Sequence, residues 1–319
     1  MENKILEILK LKTDGYISGE ELSKLLKVSR TAIWKHIENL RRDGYVVEAH
    51  PHLGYRLAEI PDRLLPDEIR WRLKTKKIGK KVYSYNTLDS TNETAYRLAE
   101  EDCPEGALII AEEQKKGKGR LGRSWVSPKD AGIYFSCVLR PNIGPNEAAK
   151  MTLISAVSVV KAIRAFTSLE CLIRWPNDIL VNSKKICGIL TEMKAEQDKV
   201  LFLVIGIGVN VNTSAALLPK EATSIKETVK YAVSRIDLAK RILEELDENY
   251  HIFLKQGFQP FVDEWERYSA ITGKRVKVLC NDKAVEGTAR NIDDDGALVV
   301  RLDNGFLKHV LAGDVTLLR

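Results

Sequence analysis

Five cations fall within nine residues of one glycine-rich stretch: Lys115, Lys116, Lys118, Arg120 and Arg123, interleaved with Gly117, Gly119 and Gly122. Gly117-Lys-Gly-Arg-Leu-Gly-Arg-Ser124 fits the G-x-G-x-x-G dinucleotide pattern. It also comes within one residue of the phosphate-loop pattern, with Arg123 where lysine should stand. Both patterns need a helix to open at the glycines, so that its N-terminus faces the phosphates. Here Trp125-Val-Ser-Pro128 and a β-rich run from Gly132 follow, so neither pattern applies. The charge still asks for an anion. A segment this basic repels itself and is predicted to be mobile when empty, and a bound polyphosphate would neutralise and order it. The plain alternative is a solvated basic loop, which leaves Trp125 at its far end unexplained.

Two further clusters carry chemistry. Asp89-Ser-Thr-Asn-Glu93 contains an S-x-x-E capping box at a strand-to-helix junction, and by itself it is only a good helix start. Arg174-Trp-Pro-Asn-Asp178, followed by Lys184-Lys-Ile-Cys-Gly-Ile-Leu-Thr-Glu192, is predicted as strand, tight turn and strand. An Arg, an Asn, an Asp and a Lys near one hairpin suit a phosphate and a divalent cation. A salt-bridged hairpin is the simpler alternative.

These clusters need a scaffold, and the pattern of apolar residues predicts one. Strands are expected at 107–112, 132–139, 172–175, 185–192 and 200–211, and helices at 92–101, 147–166 and 236–255. Strands and helices do not alternate strictly, so a mixed sheet is expected rather than a doubly wound parallel one. Pro61 and Pro66 bracket a linker before this region. After residue 271 five short strands are expected at 274–280, 284–291, 297–302, 305–310 and 315–318. Asn281-Asp282, Asp293–Gly296 and Asp303–Gly305 are the turn signals between them. That spacing suggests a small SH3-like β-barrel.

The first sixty residues predict three short helices and a hairpin, a winged helix-turn-helix. Ile5, Leu6, Ile8 and Leu9 give the first helix its apolar face. Ser18 and Glu21 box the second, which should bury Leu22, Leu25 and Leu26. Ser29 caps the third, which turns Ile33, Ile37 and Leu40 inward. Trp34 is expected to be a core or half-buried packing residue rather than a base contact, and His36, His50 and His52 ordinary surface residues. Residues 24–42 carry six Lys and Arg against one carboxylate, Glu38. Ser29, Arg30, Thr31 and Lys35 are therefore the expected DNA-binding residues, with cations for phosphates and short polar groups for base edges. The whole N-terminal region is nearly neutral, so one copy should bind DNA weakly and a dimer is needed. A protein-interaction winged helix is the alternative.

Composition sets outer limits. With 319 residues, 44% hydrophobic and 29% charged, the chain can build two or three cores. The formal net charge of +6 permits an anionic partner without requiring one. Five scattered cysteines fit no zinc spacing and no disulfide framework, which points to the reducing cytoplasm. The N-terminus reads as a charged amphipathic helix rather than a signal peptide, and no apolar run is long enough for a membrane span.

Taken in order, Ser90-Thr-Asn92, Gln114 with Gly117-Lys-Gly-Arg-Leu-Gly-Arg123 and Trp125, Trp175-Pro-Asn-Asp178, Lys185-Ile-Cys-Gly188 and Gly206-Ile-Gly-Val-Asn210 resemble the biotin–protein ligase family. With the winged helix before them and the barrel after, the whole chain resembles the bifunctional bacterial ligases that also repress the biotin operon. Each motif alone is weak, and the ordered set is specific. Lys118 stands where many members have arginine, and Arg174 where many have lysine. Charge is kept while contact geometry changes.

The resemblance implies a multidomain α/β protein. A winged helix-turn-helix would span 1–62, a mixed α+β catalytic domain like that of class II synthetases 63–271, and an SH3-like domain 272–319. It implies that biotin and ATP form biotinyl-5′-AMP, and that a lysine of biotin carboxyl carrier protein then takes the biotin. Arg120, Arg123 and Lys185 would be catalytic. Biotin would meet Ser90, Thr91, Asn92, Gln114, Gly117, Lys118, Gly119, Arg120 and Lys185. The nucleotide would meet Arg120, Arg123, Trp125, Asn177, Asp178, Lys185 and Asn210, with Mg²⁺ held mainly by phosphates and by Asp178. Biotinyl-5′-AMP would also be the co-repressor, ordering loops that complete a homodimer on operator DNA. Competing readings are a ligase whose first domain does not bind DNA, a non-catalytic sensor, and a lipoate–protein ligase. Retention of Arg120, Arg123, Asp178 and Lys185 together opposes the sensor, and the glycine-rich loop fits the biotin branch better.

Overall fold

A computed structural model describes residues 1–12, 15–280 and 283–318. The chain forms two compact units, Met1–Arg63 and Leu64–Arg319.

The first unit holds α1 (Glu2–Leu11), α2 (Gly19–Leu26), α3 (Arg30–Arg42) and the hairpin β1 (Val46–His50) and β2 (Gly54–Glu59). Ser18 Oγ accepts from Glu21 N at 3.0 Å and Ser29 Oγ from Ala32 N at 3.1 Å, so both predicted caps form. Ile5, Leu6, Leu9, Leu22, Ile33, Ile37 and Leu40 are buried. Gly54 has φ +110°, and a Cβ there would come within 2.0 Å of Ile17 O. Only glycine lets the wing lie against Ile17, whose N and O both bond to Tyr55. One expectation fails here and two are met only in part. Leu25 is exposed, because the eight-residue α2 points the pair Leu22 and Leu26 inward and leaves Leu25 off that axis. Ile8 is only partly buried. Trp34 is 56% exposed, because it lies about a quarter turn round α3 from Ile33, Ile37 and Leu40.

The second unit is built on a seven-stranded mixed sheet, ordered β3-β4-β5-β9-β8-β7-β6. Its strands are β3 (Val82–Leu88), β4 (Leu108–Gln114), β5 (Ile133–Leu139), β6 (Leu172–Arg174), β7 (Asp178–Val181), β8 (Lys184–Glu196) and β9 (Lys199–Val209). Only β3 and β4 run parallel. Alternation along β5 and β9 sends Val138, Phe202 and Val204 to α5 (Thr91–Glu100), and Cys137, Leu139, Leu203 and Ile205 to the large core. That core holds α6 (Ala148–Thr167) and α8 (Arg235–Gln256). The short helices α4 (Pro66–Arg70), α7 (Ile225–Val229) and α9 (Pro260–Arg267) complete the set. Sequence periodicity passes over β3 because it is a half-exposed edge strand, and over β7 because it has four residues inside a predicted turn.

A five-stranded antiparallel sheet, β13-β12-β11-β10-β14, follows in the same unit. It contains β10 (Arg275–Cys280), β11 (Lys283–Ile292), β12 (Leu298–Arg301), β13 (Leu307–Val310) and β14 (Asp314–Leu317), consistent with the SH3-like expectation. The expected turn at Asn281-Asp282 lies outside the described residues. Trp175 Nε1 donates to Gly296 O at 3.2 Å, and Val276, Ile292 and Val300 share the main core, so this sheet is packed onto the catalytic scaffold.

Candidate active site

The site forms where three chain reversals meet over the middle of the sheet. At the first, Ser90 caps α5 and Thr91 turns back to β4. Gln114 Oε1 accepts from Thr91 N at 2.8 Å and from Thr91 Oγ1 at 3.0 Å, while Gln114 Nε2 donates to Ser127 Oγ at 2.9 Å. Asn92 is committed at both ends of its amide. Its Nδ2 donates to Glu192 Oε2 at 2.7 Å, and Ser136 Oγ lies 2.6 Å from its Oδ1. Asn92 thus fixes α5 to β8 at the wall of the site.

The glycine-rich segment leaves β4 and folds back as a narrow hairpin. Trp125 N donates to Gly117 O at 2.8 Å and Gly119 N to Arg123 O at 2.7 Å. At the tip one 3₁₀ turn, 120–122, passes through left-handed φ at Leu121 and Gly122. No α-helix opens there, as expected. The self-repulsion expected of the empty loop is relieved by carboxylates from elsewhere. Lys116 pairs with Asp89 at 2.8 Å and Lys118 with Glu93 at 2.6 Å. Glu93 holds the Lys118 ammonium above its ordinary range, mainly through that hydrogen bond. Arg123 bonds Asp314 of the barrel, whose other oxygen lies 3.8 Å from Arg120. Arg120 also donates to Asn177 Oδ1 at 3.2 Å and Gly313 O at 3.3 Å.

The third reversal is the β6–β7–β8 turn. Asp178 receives Lys185 Nζ at 2.6 Å on one oxygen and Arg174 at 2.7 Å on the other. Lys185 is fixed by its backbone to Glu221 and Thr223, and its ammonium sits 5.3 Å from the Trp125 ring centroid. The floor under Trp125 is made of glycines. A Cβ at Gly208 would lie 2.5 Å from Trp125 Nε1, and one at Gly206 would lie 1.9 Å from Asn92 Oδ1. Gly206→Ala should therefore displace Asn92 and loosen the α5 end of the cleft. We expect the KM for the ligand bound there to rise roughly tenfold with kcat little changed, a penalty of order 1–2 kcal/mol. An unchanged KM would show that Asn92 can move aside freely.

Together these groups line one concave cleft that brings the three reversals face to face. Ser90, Thr91, Asn92, Gln114, Lys118, Gly119, Arg120, Arg123, Trp125, Asn177, Asp178 and Lys185 all line it. Asn210 does not. It lies in a second hollow beyond Trp125, shared with Lys185, Arg174 and Leu218. There Asn210 Oδ1 is buried without a hydrogen-bond partner, as is Trp125 Nε1. Asn177 donates to Ile189 O at 2.8 Å while supporting Arg120, so its amide serves the loop. Sequence reasoning missed Ser136, Glu192 and Asp314. Ser136 left a trace as a hydroxyl inside the apolar run Ile133–Leu139; Asp314 left none. Cys137, Cys171 and Cys187 are buried and are not placed to act as nucleophiles. Burial pushes the Cys171 thiol up to about 12, and those of Cys137 and Cys187 higher still.

Known proteins share this arrangement along the chain. Residues 84–210 match the biotin/lipoate A/B protein ligase family, 2–56 an HTH domain and 271–318 the biotin protein ligase C terminal domain. The bifunctional ligase/repressor BirA of Bacillus subtilis (strain 168) is 38% identical over 99% of this chain and 98% of its own length. The chain belongs to the biotin–protein ligase family. Its relative BirA of Escherichia coli (strain K12) is 32% identical over 98% of this chain and 96% of its own. Among solved structures, a biotin protein ligase from Aquifex aeolicus in complex with biotin and ATP superposes with a TM-score of 0.65 at 30% identity. It covers 75% of this chain and 99% of its own. The mixed-sheet ligase fold and the N-terminal winged helix are thus those that the motifs implied. No helix among the described residues is long and apolar enough to cross a membrane.

In this ligase Asp314 faces both Arg120 and Arg123, the cations expected to meet the nucleotide. Arg123 is well exposed, so the pair is screened and contributes at most about 1 kcal/mol. Asp314→Asn should lower the KM for nucleotide by up to about fivefold, read from initial rates of pyrophosphate release. A rise in KM would mean that Asp314 closes the loop instead of competing for it.

Proposed function

We propose that this ligase joins biotin and ATP into biotinyl-5′-AMP, transfers the biotin to a lysine of a biotin carboxyl carrier protein, and represses biotin genes when that intermediate accumulates. It would do so in the cytoplasm, through a winged-helix domain at 1–62, a catalytic domain at 63–271 and an SH3-like domain at 272–319. The observation that carries the catalytic reading is the convergence of Arg120, Arg123 and Lys185 on one glycine-floored cleft.

In the first step a biotin carboxylate oxygen attacks the α-phosphorus of ATP, and the bond to pyrophosphate breaks. Two anions must meet, so the site has to neutralise charge and hold the partners in line, without a protein nucleophile. Ser90, Thr91 and Gln114, with the loop backbone at 117–119 and Lys118, hold biotin, while Asn92 sets the wall they stand on. Lys185, 2.6 Å from Asp178, is held near the Trp125 ring to meet the carboxylate and α-phosphate. Arg120 and Arg123 leave Asp314 for the phosphates. The adenine fits the second hollow, where Trp125 offers a ring face and the orphaned Asn210 Oδ1 offers an acceptor for an amine. Asn177 supports Arg120 from below. The described residues gather no three metal-ligating side chains, and both Asp178 oxygens already hold cations. The chain's residues therefore do not make a Mg²⁺ site of their own; the ion belongs to the nucleotide as substrate.

In the second step the acceptor lysine nitrogen attacks the biotinyl carbonyl carbon, AMP leaves with the bonding electrons, and the amine gives up a proton. Until then the loop keeps water from the anhydride. Arg120→Gly removes the side chain that ties the loop to Asn177 and Gly313. We expect this variant to release its adenylate and to biotinylate bystander lysines. A purified Arg120→Gly protein that held its adenylate as long as the parent would contradict that role.

The repressor half rests on the winged helix, whose Ser29, Arg30, Thr31 and Lys35 lie exposed at the start of α3. Ligand-ordered loops would pair two copies, and two copies would place two recognition helices on operator half-sites. The transfer half is tested by incubating the protein with ATP, Mg²⁺ and a carrier domain, with either biotin or lipoate, and weighing the carrier by mass spectrometry. One biotin added at the carrier lysine is the expected result. Equal use of lipoate would move the protein to the lipoate branch.

A further inference from the structure

The first unit carries a large apolar side chain that nothing in its own core uses. Trp34 is 56% exposed on the flank of α3, about a quarter turn from its buried stripe. Arg30 and Thr31 lie one turn before it and Lys35 beside it, and all three are exposed. Acidic groups nearby are already engaged: Glu38 with Arg41 at 2.6 Å, Glu20 with Lys24 at 2.7 Å, and Glu2 with His36 at 3.1 Å. Among the described residues no carboxylate lies within ion-pairing distance of Arg30 or Lys35. Arg41 is turned away from this face, since its guanidinium also donates to Val47 O. The start of α3 is therefore an exposed tryptophan beside two cations that make no ion pair among the described residues, on a helix buried along Ile33, Ile37 and Leu40.

We infer that Trp34 is a specificity-determining residue of the DNA surface and packs against thymine methyl groups in the major groove. This rests on the operator-binding reading above. The cations fix the occupant as a polyanion, and the helix fits the width of a major groove. In that groove the thymine 5-methyl is the apolar feature a base edge presents, so an indole pressed in by Arg30 and Lys35 meets it. Burying an indole against sugar and phosphate alone would leave its apolar face without a match.

The experiment uses the full-length protein with biotin and Mg-ATP, and a duplex selected by that protein from a random-sequence pool. Each thymine of the selected half-site is replaced in turn by deoxyuridine, which removes only the methyl group. At one or two positions the parent should lose about fourfold in affinity, the worth of one buried methyl. Trp34→Ala should bind the thymine duplex roughly tenfold more weakly and show no further loss with deoxyuridine. Its biotin-dependent pyrophosphate release should equal the parent's. Methyl effects that persist unchanged in Trp34→Ala overturn the inference, as does a Trp34→Ala protein that binds the duplex as tightly as the parent. If Trp34→Ala loses dimerisation but keeps the methyl effects, the face is a protein surface and the inference fails. A parent that selects no duplex refutes the operator-binding reading itself, a result distinct from all of these.

Discussion

Replacing Lys185 with alanine should reduce biotin-dependent pyrophosphate release by about 10²- to 10³-fold, the usual cost of removing one preorganised charge from a developing anion. The side chain is well placed to carry such an effect. Its backbone is tied to Glu221 and Thr223 on one side, its ammonium is held 2.6 Å from Asp178, and the Trp125 ring covers it. Little reorganisation is left to do when the phosphate arrives. Folding should be nearly untouched, because Asp178 keeps Arg174 at 2.7 Å after the lysine is gone. Melting curves of variant and parent should therefore overlay while rates differ. Lys185→Arg should recover part of the rate but not all of it, since a planar fork cannot occupy the point position of the ammonium. A Lys185→Ala enzyme with near-normal release would move the charge-neutralising role to Arg120 and Arg123 alone.

The second large effect concerns stability. Arg235, at the start of α8, is wholly buried and donates to Glu112 Oε2 at 2.7 Å and Gly132 O at 3.1 Å. Glu112 in turn accepts from Leu64 N at 2.6 Å. One buried pair thus joins the segment entering the second unit, the strand leading to Gln114 and the longest helix. Arg235→Met leaves the Glu112 carboxylate buried without its cation, at a cost of about 3–5 kcal/mol. For a unit of this size each kcal/mol is worth roughly 2–4 °C, so the melting temperature should fall by about 10 °C. Adding Glu112→Leu should restore much of the loss, because two apolar side chains can replace a buried pair. If the single variant melted within a degree or two of the parent, water or another cation would have to reach Glu112.

Much of the site was legible in the sequence because short-range rules govern it. The Ser90 and Ser29 caps, the glycine-rich loop and the Trp175–Asp178 turn each depend on neighbours a few positions away. The parts that were not legible depend on contacts the chain makes only when folded. The loop cations were expected to repel one another, and instead Asp89 and Glu93 each pair with one of them while Asp314 is shared by two. Asp314 is 191 positions from Arg123, and no local pattern announces it. Asn92 lines the cleft as expected, but its ties to Ser136 and Glu192 come from strands far along the chain and no local pattern announces them. Trp34 was assigned to packing on the average habit of tryptophan, although its helical position relative to Ile33 and Ile37 already placed it outward. Where periodicity and residue preference disagreed on that helix, periodicity was the better guide.

The central claim is that a single chain makes biotinyl-5′-AMP and uses it to govern its own DNA-binding unit. The most direct measurement follows pyrophosphate release from Mg-ATP with and without biotin, and then runs the same samples against a selected operator duplex in a gel-shift assay. The account predicts release only when biotin is present, and a shifted duplex only in those samples. Absence of biotin-dependent release would contradict the catalytic assignment. Release with no change in the duplex would leave a ligase whose first sixty residues do something other than repress.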